Sequence, residues 1–362
     1  MRIVINDVAA TPDAGGIFSI LSDFYNDVLN DPKGHEWIFI LAGKFFPESK
    51  NVKILVHSDL KKNWIKKFVF EFIDGYKEIN KLQPDVFISL QNIVTRKVSA
   101  SKKFVYVDKP LSFQNEKSFS FFKKDERKLA VHQKVIGPMI KHSIRSSNVK
   151  VIVQSEWLKK EIVKQRLASS DEIIVETPVI NMSEYGVHNG KNMPTKSKTV
   201  NFFYPATPYV YKNHQLIIDA VKIITQKYGF QDFSVEFTIK HSDLVYNGDL
   251  PRQIRCVGQL ERKKVIQKYS ESVLVFPSYI ETLGLPLLEA AMQGGLILAS
   301  DTQFSHELLK NYTDVHYFNF RDSGELASLM IRVMQGKIFS HNNPLRINEQ
   351  QRKLREDILR EI

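Results

Sequence analysis

Residues 276–295, FPSYIETLGLPLLEAAMQGG, carry two carboxylates with a bend-prone segment between them. Glu281 and Glu289 stand eight positions apart. On one continuous helix, eight steps of about 100° turn through roughly 800°, leaving the side chains about 80° apart and on different faces. Gly284 and Pro286 argue against such a helix, since proline is favoured at the first helical position, where its missing N–H costs nothing. The spacing predicts a strand through VLVFPS, a loop over 278–285 and a helix from near Pro286. Glu281 then lies on the loop and Glu289 one turn into the helix. Between them, the N–H groups of Thr282, Leu283 and Gly284, with the helix dipole, offer a place for an anion. Carboxylates accept hydrogen bonds from hydroxyls, so a sugar diphosphate would use all three features. A helix with acids near its N-terminus for dipole reasons has the same spacing, and the surrounding residues must decide.

Those residues belong to an alternation of short β-branched runs with helical ones. MRIVIN, EWIFILAG, VKILVH, DVFISL, KFVYVD, KVIVQS and EIIVET read as strands. The first helix, GGIFSILSDFYNDVLN, places Ile17, Ile20, Leu21, Phe24 and Val28 on one face. Further helices are expected near 60–82, 118–146 and 156–167. Residues 181–198 lack any apolar period and collect Asn, Gly, Pro, Ser and Lys, which reads as a linker. The alternation then restarts through VNFFYPA and HQLIIDAVKIITQKYG and continues to GELASLMIRVMQG. A polar terminal helix follows, with Leu345, Leu354, Ile358 and Ile362 on roughly one side. The expected organisation is an N-terminal domain over 1–182, a linker over 183–198, a C-terminal domain over 199–340 and a final helix over 341–362. Both domains are α/β with mostly parallel, doubly wound sheets. Ligands of such sheets sit at the carboxyl ends of strands, and a cleft between two such halves is the expected site.

Composition narrows the classes. A chain of 362 residues is long enough for two cores, and 43% hydrophobic with 25% charged residues is a globular balance. The single cysteine, Cys256, excludes an intrachain disulfide and a thiolate metal cluster. The opening MRIVIN has neither the basic start nor the cleavage site of a signal peptide, and no run approaches the roughly 18 apolar residues of a membrane span. A cytoplasmic protein is expected. The net charge of +11 is uneven: residues 117–167 hold 13 Lys/Arg against 4 Asp/Glu. Such an excess attracts phosphate-bearing or anionic lipid surfaces. DLKKNWIKKFVFEF sets Trp64, Phe68 and Phe72 among Lys61, Lys62, Lys66 and Lys67, and EKSFSFFKKDERK adds Phe119, Phe121 and Phe122. Basic and aromatic residues together fit an interfacial membrane contact through the N-terminal domain. A solvated basic face with its aromatics turned inward would read the same way. A nucleic-acid partner is not expected, because no recognised reading module accompanies the charge.

Residues 276–295 closely resemble the signature of the retaining glycosyltransferases of family GT4, in which Pro-Ser, Glu, Gly-Leu-Pro and a second Glu recur in order. YPATPYVYKNHQLIIDAV, VGQLERKKVIQKYSESVLVFPS, VIVQSEW and AGGIF resemble further stretches of the same family. The resemblance implies a GT-B fold, an N-terminal Rossmann-like acceptor domain and a C-terminal Rossmann-like donor-binding domain facing across a cleft, with the C-terminal helix crossing back to the N-terminal domain. It implies that Glu281 contacts donor-sugar hydroxyls, Glu289 holds the ribose and Lys212 neutralises the leaving diphosphate. Gly15 and Gly16 would let the backbone approach the donor. No Asp-x-Asp occurs in the sequence, so no metal and no cofactor is expected beyond the nucleotide-sugar itself.

Two departures stand out. Relatives carry an arginine about five residues before the lysine, where this chain has Thr207, leaving Lys212 alone or helped by a cation such as Lys240. Relatives also place a histidine after the strand equivalent to KFVYV, where this chain has Asp108, which can accept but not donate a hydrogen bond when ionised. MRIVINDVAATPDAGGIFSILSDFYNDV and PDVFISLQNI resemble bacterial capsule and cell-surface rhamnosyltransferases. That resemblance implies dTDP-rhamnose as donor, a lipid-linked saccharide acceptor and a place at the inner face of the plasma membrane. GDP-mannose or a UDP-sugar remains open, as does a catalytically silent sugar-nucleotide-binding partner.

Overall fold

A computed structural model describes residues 1–12, 16–176, 199–246, 248–346 and 354–362. The chain divides into two units, one of Met1–Phe122, Arg127–Val179 and Gln350–Ile362, the other of Lys123–Glu126 and Ile180–Glu349. The proposed linker over 183–198 lies outside the described residues.

The first unit runs β1 (Arg2–Asp7), α1 (Gly16–Asn30), β2 (Glu36–Leu41), β3 (Val52–Val56), α2 (Ser58–Lys62), α3 (Trp64–Val69), α4 (Gly75–Lys81), β4 (Val86–Ser89), β5 (Lys102–Val107), α5 (Arg127–Val131), α6 (Gly137–Ser146), β6 (Lys150–Val153), α7 (Glu156–Lys164) and β7 (Ile173–Val175). Its seven strands order as β3-β2-β1-β4-β5-β6-β7, and their pairings are parallel. The central strands are apolar runs rather than alternations because helices cover both faces. Leu21, Phe24 and Val28 of α1 recur at helical spacing and pack with Trp37 and Phe39 of β2.

The second unit runs β8 (Val200–Tyr204), α8 (His214–Lys222), β9 (Phe233–Phe237), β10 (Ile254–Cys256), α9 (Arg262–Glu271), β11 (Val273–Phe276), α10 (Leu285–Met292), β12 (Ile297–Ser300), α11 (Gln303–Leu308), β13 (Val315–Phe318) and α12 (Ser323–Met334). Its parallel sheet orders as β10-β9-β8-β11-β12-β13. The six residues of α11 are too short to show a period, and sequence reading passed over them. The helix is set by a reciprocal cap, in which Ser305 and Thr302 hydroxyls lie 2.8 Å apart and the Thr302 N–H donates to Ser305 Oγ at 3.2 Å.

Two expectations need correcting. The helix expected over 118–146 begins only at Arg127. Ahead of it, Gln114 Oε1 takes the N–H groups of Glu116 and Lys117, and Gln133 Oε1 takes that of Phe119, so side chains replace a helical ladder. The expected helix over 341–362 is also shorter. Residues 341–346 are not helical, because the Asp314 carboxylate captures the His341 N–H at 2.6 Å and the Ser340 hydroxyl at 3.0 Å. Leu345 packs with Ile266, Leu288 and Met292 of the second unit. The helix α13 (Leu354–Arg360) instead seats Leu354 and Ile358 in the core of the first unit. Arg355 Nη1 there donates to the carbonyls of Asp27 and Asp31 at 2.5 and 2.7 Å, placing a cation at the C-terminal end of α1.

Where α13 docks, Asp357 faces Glu176, whose carboxyl is pushed up to about 7 by burial first and by that second acid next. The folded chain therefore keeps a proton that the unfolded chain releases between about pH 4.5 and 7, and stability falls as pH rises through that window. Glu176→Gln is expected to raise the melting temperature by several degrees at about pH 8 and to change it little at about pH 5. Thermal unfolding at the two pH values checks this, and equal shifts at both would remove Glu176 as the source.

Candidate functional site

The strand order of the second sheet reverses between β8 and β11, and the loops leaving these two strands part there. Lys212 lies in the connection after β8 and Glu281 in the connection after β11. The fold brings them into contact, Lys212 Nζ donating to Glu281 Oε1 at 2.5 Å, with both side chains largely buried. Hydrogen bonds stitch the two connections together. The Tyr211 carbonyl accepts from the Tyr279 N–H at 3.2 Å and the Ser278 hydroxyl at 3.3 Å. Tyr204 OH donates to the Lys212 carbonyl at 2.6 Å. Asn213, at φ 61°, turns the chain into α8 while its amide donates to the Phe320 carbonyl at 2.8 Å. Burial raises the Tyr204 and Tyr211 hydroxyl pKa values, and the nearby Glu281 charge adds to it, so both stay protonated donors.

His214, the first residue of α8, is buried between Tyr204 and Phe237, with ring centroids at 4.9 and 5.0 Å. Burial, helped by the Lys212 charge, pushes its pKa down to about 3, so it brings no second cation to the pair. Thr207 and Lys240 are both exposed.

Glu281 lies on a loop and Glu289 in α10, which starts at Leu285 with Pro286 in its first turn. Gly284 caps that helix at φ 80°, a conformation that an L side chain rarely adopts. Thr282, Leu283 and Gly284 are buried between the two glutamates. Glu289 makes a different set of contacts from Glu281. It is 2% exposed, and its two oxygens lie against Tyr269 OH at 2.8 Å and Arg262 Nη1 at 2.5 Å. Both partners are on α9. Arg262 and Tyr269 escaped sequence reading because RKKVIQKYSE reads as an ordinary polar helix, and no spacing within it marks a carboxylate partner.

The remaining candidates belong to the first unit. Gly16 opens α1, and Gly15 lies outside the described residues. Asp108 follows β5 and is clamped by Asn92, whose Oδ1 takes the N–H groups of Asp108 and Lys109, both at 2.8 Å, and whose Nδ2 donates to Asp108 Oδ1 at 2.5 Å. Burial raises the Asp108 carboxyl pKa, partly offset by Lys109 and the Asn92 bond.

Comparison with known proteins identifies the fold. The fold is similar to a glycosyltransferase from Rickettsia africae at 16% identity and a TM-score of 0.60, covering 94% of this chain and 89% of that one. The lipopolysaccharide outer core galactosyltransferase WaaB matches at 14% identity and a TM-score of 0.59, covering 94% and 92%. HepE of Anabaena, in complex with UDP-glucose, matches at 12% identity and a TM-score of 0.56, covering 93% and 90%. No curated protein matches the sequence. Each unit's parallel sheet is Rossmann-like, and the fold is GT-B. Residues 191–354 match the family described as Glycosyl transferases group 1. That match lies largely in the C-terminal unit, while the likeness in fold spans 94% of the chain.

Tyr269→Phe removes one donor from a buried carboxylate and is expected to cost about 1–3 kcal/mol. Chemical denaturation measures this, and a loss below about 0.5 kcal/mol would mean that the Tyr269 bond does not hold Glu289.

Proposed function

We propose that the protein is a retaining glycosyltransferase that moves a sugar from a nucleotide-sugar diphosphate to a lipid-linked saccharide during bacterial surface polysaccharide assembly. The observation that carries this reading is the Lys212–Glu281 contact at the carboxyl ends of β8 and β11. In the free protein Glu281 holds the lysine. A diphosphate bound over Thr282, Leu283 and Gly284 would take over the ammonium, leaving the Glu281 carboxylate to accept hydrogen bonds from sugar hydroxyls. Lys212 then neutralises the leaving diphosphate, an electrostatic role that a metal fills in other enzymes. Glu289 accepts the ribose hydroxyls, and the N-terminus of α10 adds partial positive charge. The bond from the anomeric carbon to phosphate breaks and the bond to the acceptor oxygen forms on the same face. The acceptor proton passes to the departing phosphate oxygen.

The donor is dTDP-rhamnose on the resemblance of the first 28 residues to rhamnosyltransferases. A UDP-sugar is the second reading, favoured by the UDP-glucose bound to HepE. GDP-mannose is a third, and a silent sugar-nucleotide-binding partner is the rival to catalysis. The galactosyltransferase activity in WaaB's name supports an acceptor of the lipopolysaccharide type.

Among the described residues no helix is long and apolar enough to cross a membrane. Peripheral docking at the inner face is supported by Phe122, 92% exposed, and by the exposed Val131, Val135 and Ile136 beside Lys128 and Lys134. Lys134 Nζ sits 5.4 Å from the Phe121 ring. Phe119 does not contribute, being in the core.

Glu289→Ala should weaken donor binding, whereas Glu281→Ala should mainly lower turnover. Lys212→Ala should cost roughly 2–4 kcal/mol of transition-state stabilisation. Calorimetry against dTDP, UDP and GDP and their sugars, followed by kinetics of the variants, tests these roles. Unchanged kcat/KM in Lys212→Ala would refute them. Phe122→Glu should reduce co-sedimentation with anionic vesicles at low salt several-fold, and undiminished binding would remove this patch from the contact.

A further inference from the structure

A cleft of about 440 Å³, lined by Lys33, His35, Arg355, Glu356, Leu359 and Arg360, opens at the amino end of the first sheet. Lys33 and His35 belong to the turn between α1 and β2, and the other four to α13. Because β2 only begins at Glu36, a strand length of about 20 Å separates the cleft from the carboxyl ends where ligands of such sheets ordinarily bind. Its volume falls within the range of small-molecule sites.

Arg355 is the residue that needs explaining. It is 7% exposed, and its two hydrogen bonds are both made by Nη1, to the Asp27 and Asp31 carbonyls. Nε is buried and has no hydrogen-bond partner among the described residues. Capping α1 therefore uses one corner of the guanidinium. The Nε–Nη2 edge, which can grip two oxygens of one anion, is left over. A buried charged donor without an acceptor is costly, so this edge calls for an acceptor from outside the chain.

The neighbouring charges decide what that acceptor is. The lining holds three cations, Lys33, Arg355 and Arg360, against one carboxylate, Glu356. Arg360 is exposed and makes no ion pair among the described residues. Lys33 pairs with Asp31 at 2.6 Å, but both side chains are about half exposed, and such a contact holds weakly against a more highly charged anion. Asp31 Oδ2 lies 4.0 Å from Arg355 Nη1, on the corner already occupied by carbonyls. Burial lowers the His35 pKa, helped by the Met1 ammonium, so its ring brings a hydrogen-bonding group and no charge. Three cations around a two-oxygen grip suit the three oxygens and nearly two charges of a phosphate monoester better than a single carboxylate. The half-buried Leu359 offers an apolar wall to the organic part of such a ligand.

We propose that this cleft binds a phosphate monoester, with the Arg355 Nε–Nη2 edge taking two phosphate oxygens, Lys33 and Arg360 neutralising the charge, and Leu359 packing against the organic group. The bound ester ties α13 to the α1–β2 turn and so holds the terminal helix on the first unit. The site is separate from Lys212 and does not rest on the transferase reading.

Calorimetry on the full chain at low salt and about pH 7.5, where the ester is doubly charged, provides the test. The probes are α-D-glucose 1-phosphate, a soluble ester, and dihexanoyl phosphatidate, a lipid headgroup in soluble form. Binding of the first assigns a soluble ester and binding of the second a lipid source, and either supports the cleft if affinity falls at least about fivefold in both Arg360→Glu and Arg355→Lys, the latter keeping the charge but losing the fork. Glu356→Gln should raise affinity about two- to fivefold, and Lys212→Ala should leave it within about twofold. Ester at ten times its Kd should raise the parent's melting temperature by about 3 °C and leave that of Arg360→Glu unchanged. An Arg355 that only caps α1 would lower the melting temperature of Arg355→Lys with no ester-dependent shift in any variant. Failure of both probes to bind overturns the site, as does affinity unchanged in Arg360→Glu or lost in Lys212→Ala.

Discussion

The reversal of strand order in each parallel sheet is the constraint on which the rest of the molecule depends. Parallel pairing sends every strand's exit to one end of its sheet, and at the reversal two neighbouring exits must part. In the second sheet the parting strands are β8 and β11, and their connections deliver Lys212 and Glu281 to one point. Residues 69 positions apart thus meet at 2.5 Å without either lying on a regular strand. Bonds from the Tyr279 N–H and the Ser278 hydroxyl to the Tyr211 carbonyl hold the two connections together.

The two glutamates of that region answer to different physics. Glu281 is tied to a single cation that a more strongly charged anion can claim. Glu289 is buried on a helix with a tyrosine and an arginine on its two oxygens, which fixes its rotamer and keeps the carboxylate solvated by protein. Arg262 is half exposed whereas Tyr269 is buried, so the arginine is the more easily displaced of the two partners. The lack of a basic residue at Thr207 and the neutral state of His214 leave Lys212 as the cation in direct contact with Glu281.

Much of this was legible in the sequence because it depends on local chemistry. Apolar runs of four to six residues gave the strands, and Gly284 followed by Pro286 placed the start of α10 within a residue. The Gly-Pro bend also separates Glu281 from Glu289 on local geometry alone. What escaped depends on long-range pairing. Nothing in RKKVIQKYSE marks Arg262 and Tyr269 as partners of a carboxylate on another helix, because each is a plausible surface or core residue by itself. Leu345 kept helical spacing with Leu354 and Ile358, yet the Asp314 carboxylate takes the backbone N–H of His341 and ends that pattern. Phe119 and Phe122 are three residues apart in a basic stretch, and side-chain bonds from Gln133 send one into the core while the other stays in solvent.

The two sheets use the same opening with opposite electrostatics. At the second sheet a lysine and a helix N-terminus gather positive potential, which suits a ligand carrying phosphates. At the first sheet the strand ends gather Asp7 and Asp108, and burial raises the pKa of both carboxyls. A phosphate brought to the buried Asp7 would meet like charge in a poorly polarisable setting. A neutral sugar brought to Lys212 would gain too little to displace Glu281. The contrast between the two sheets follows from which charged residues the chain places after β1 and β5 in the first and after β8 and β11 in the second.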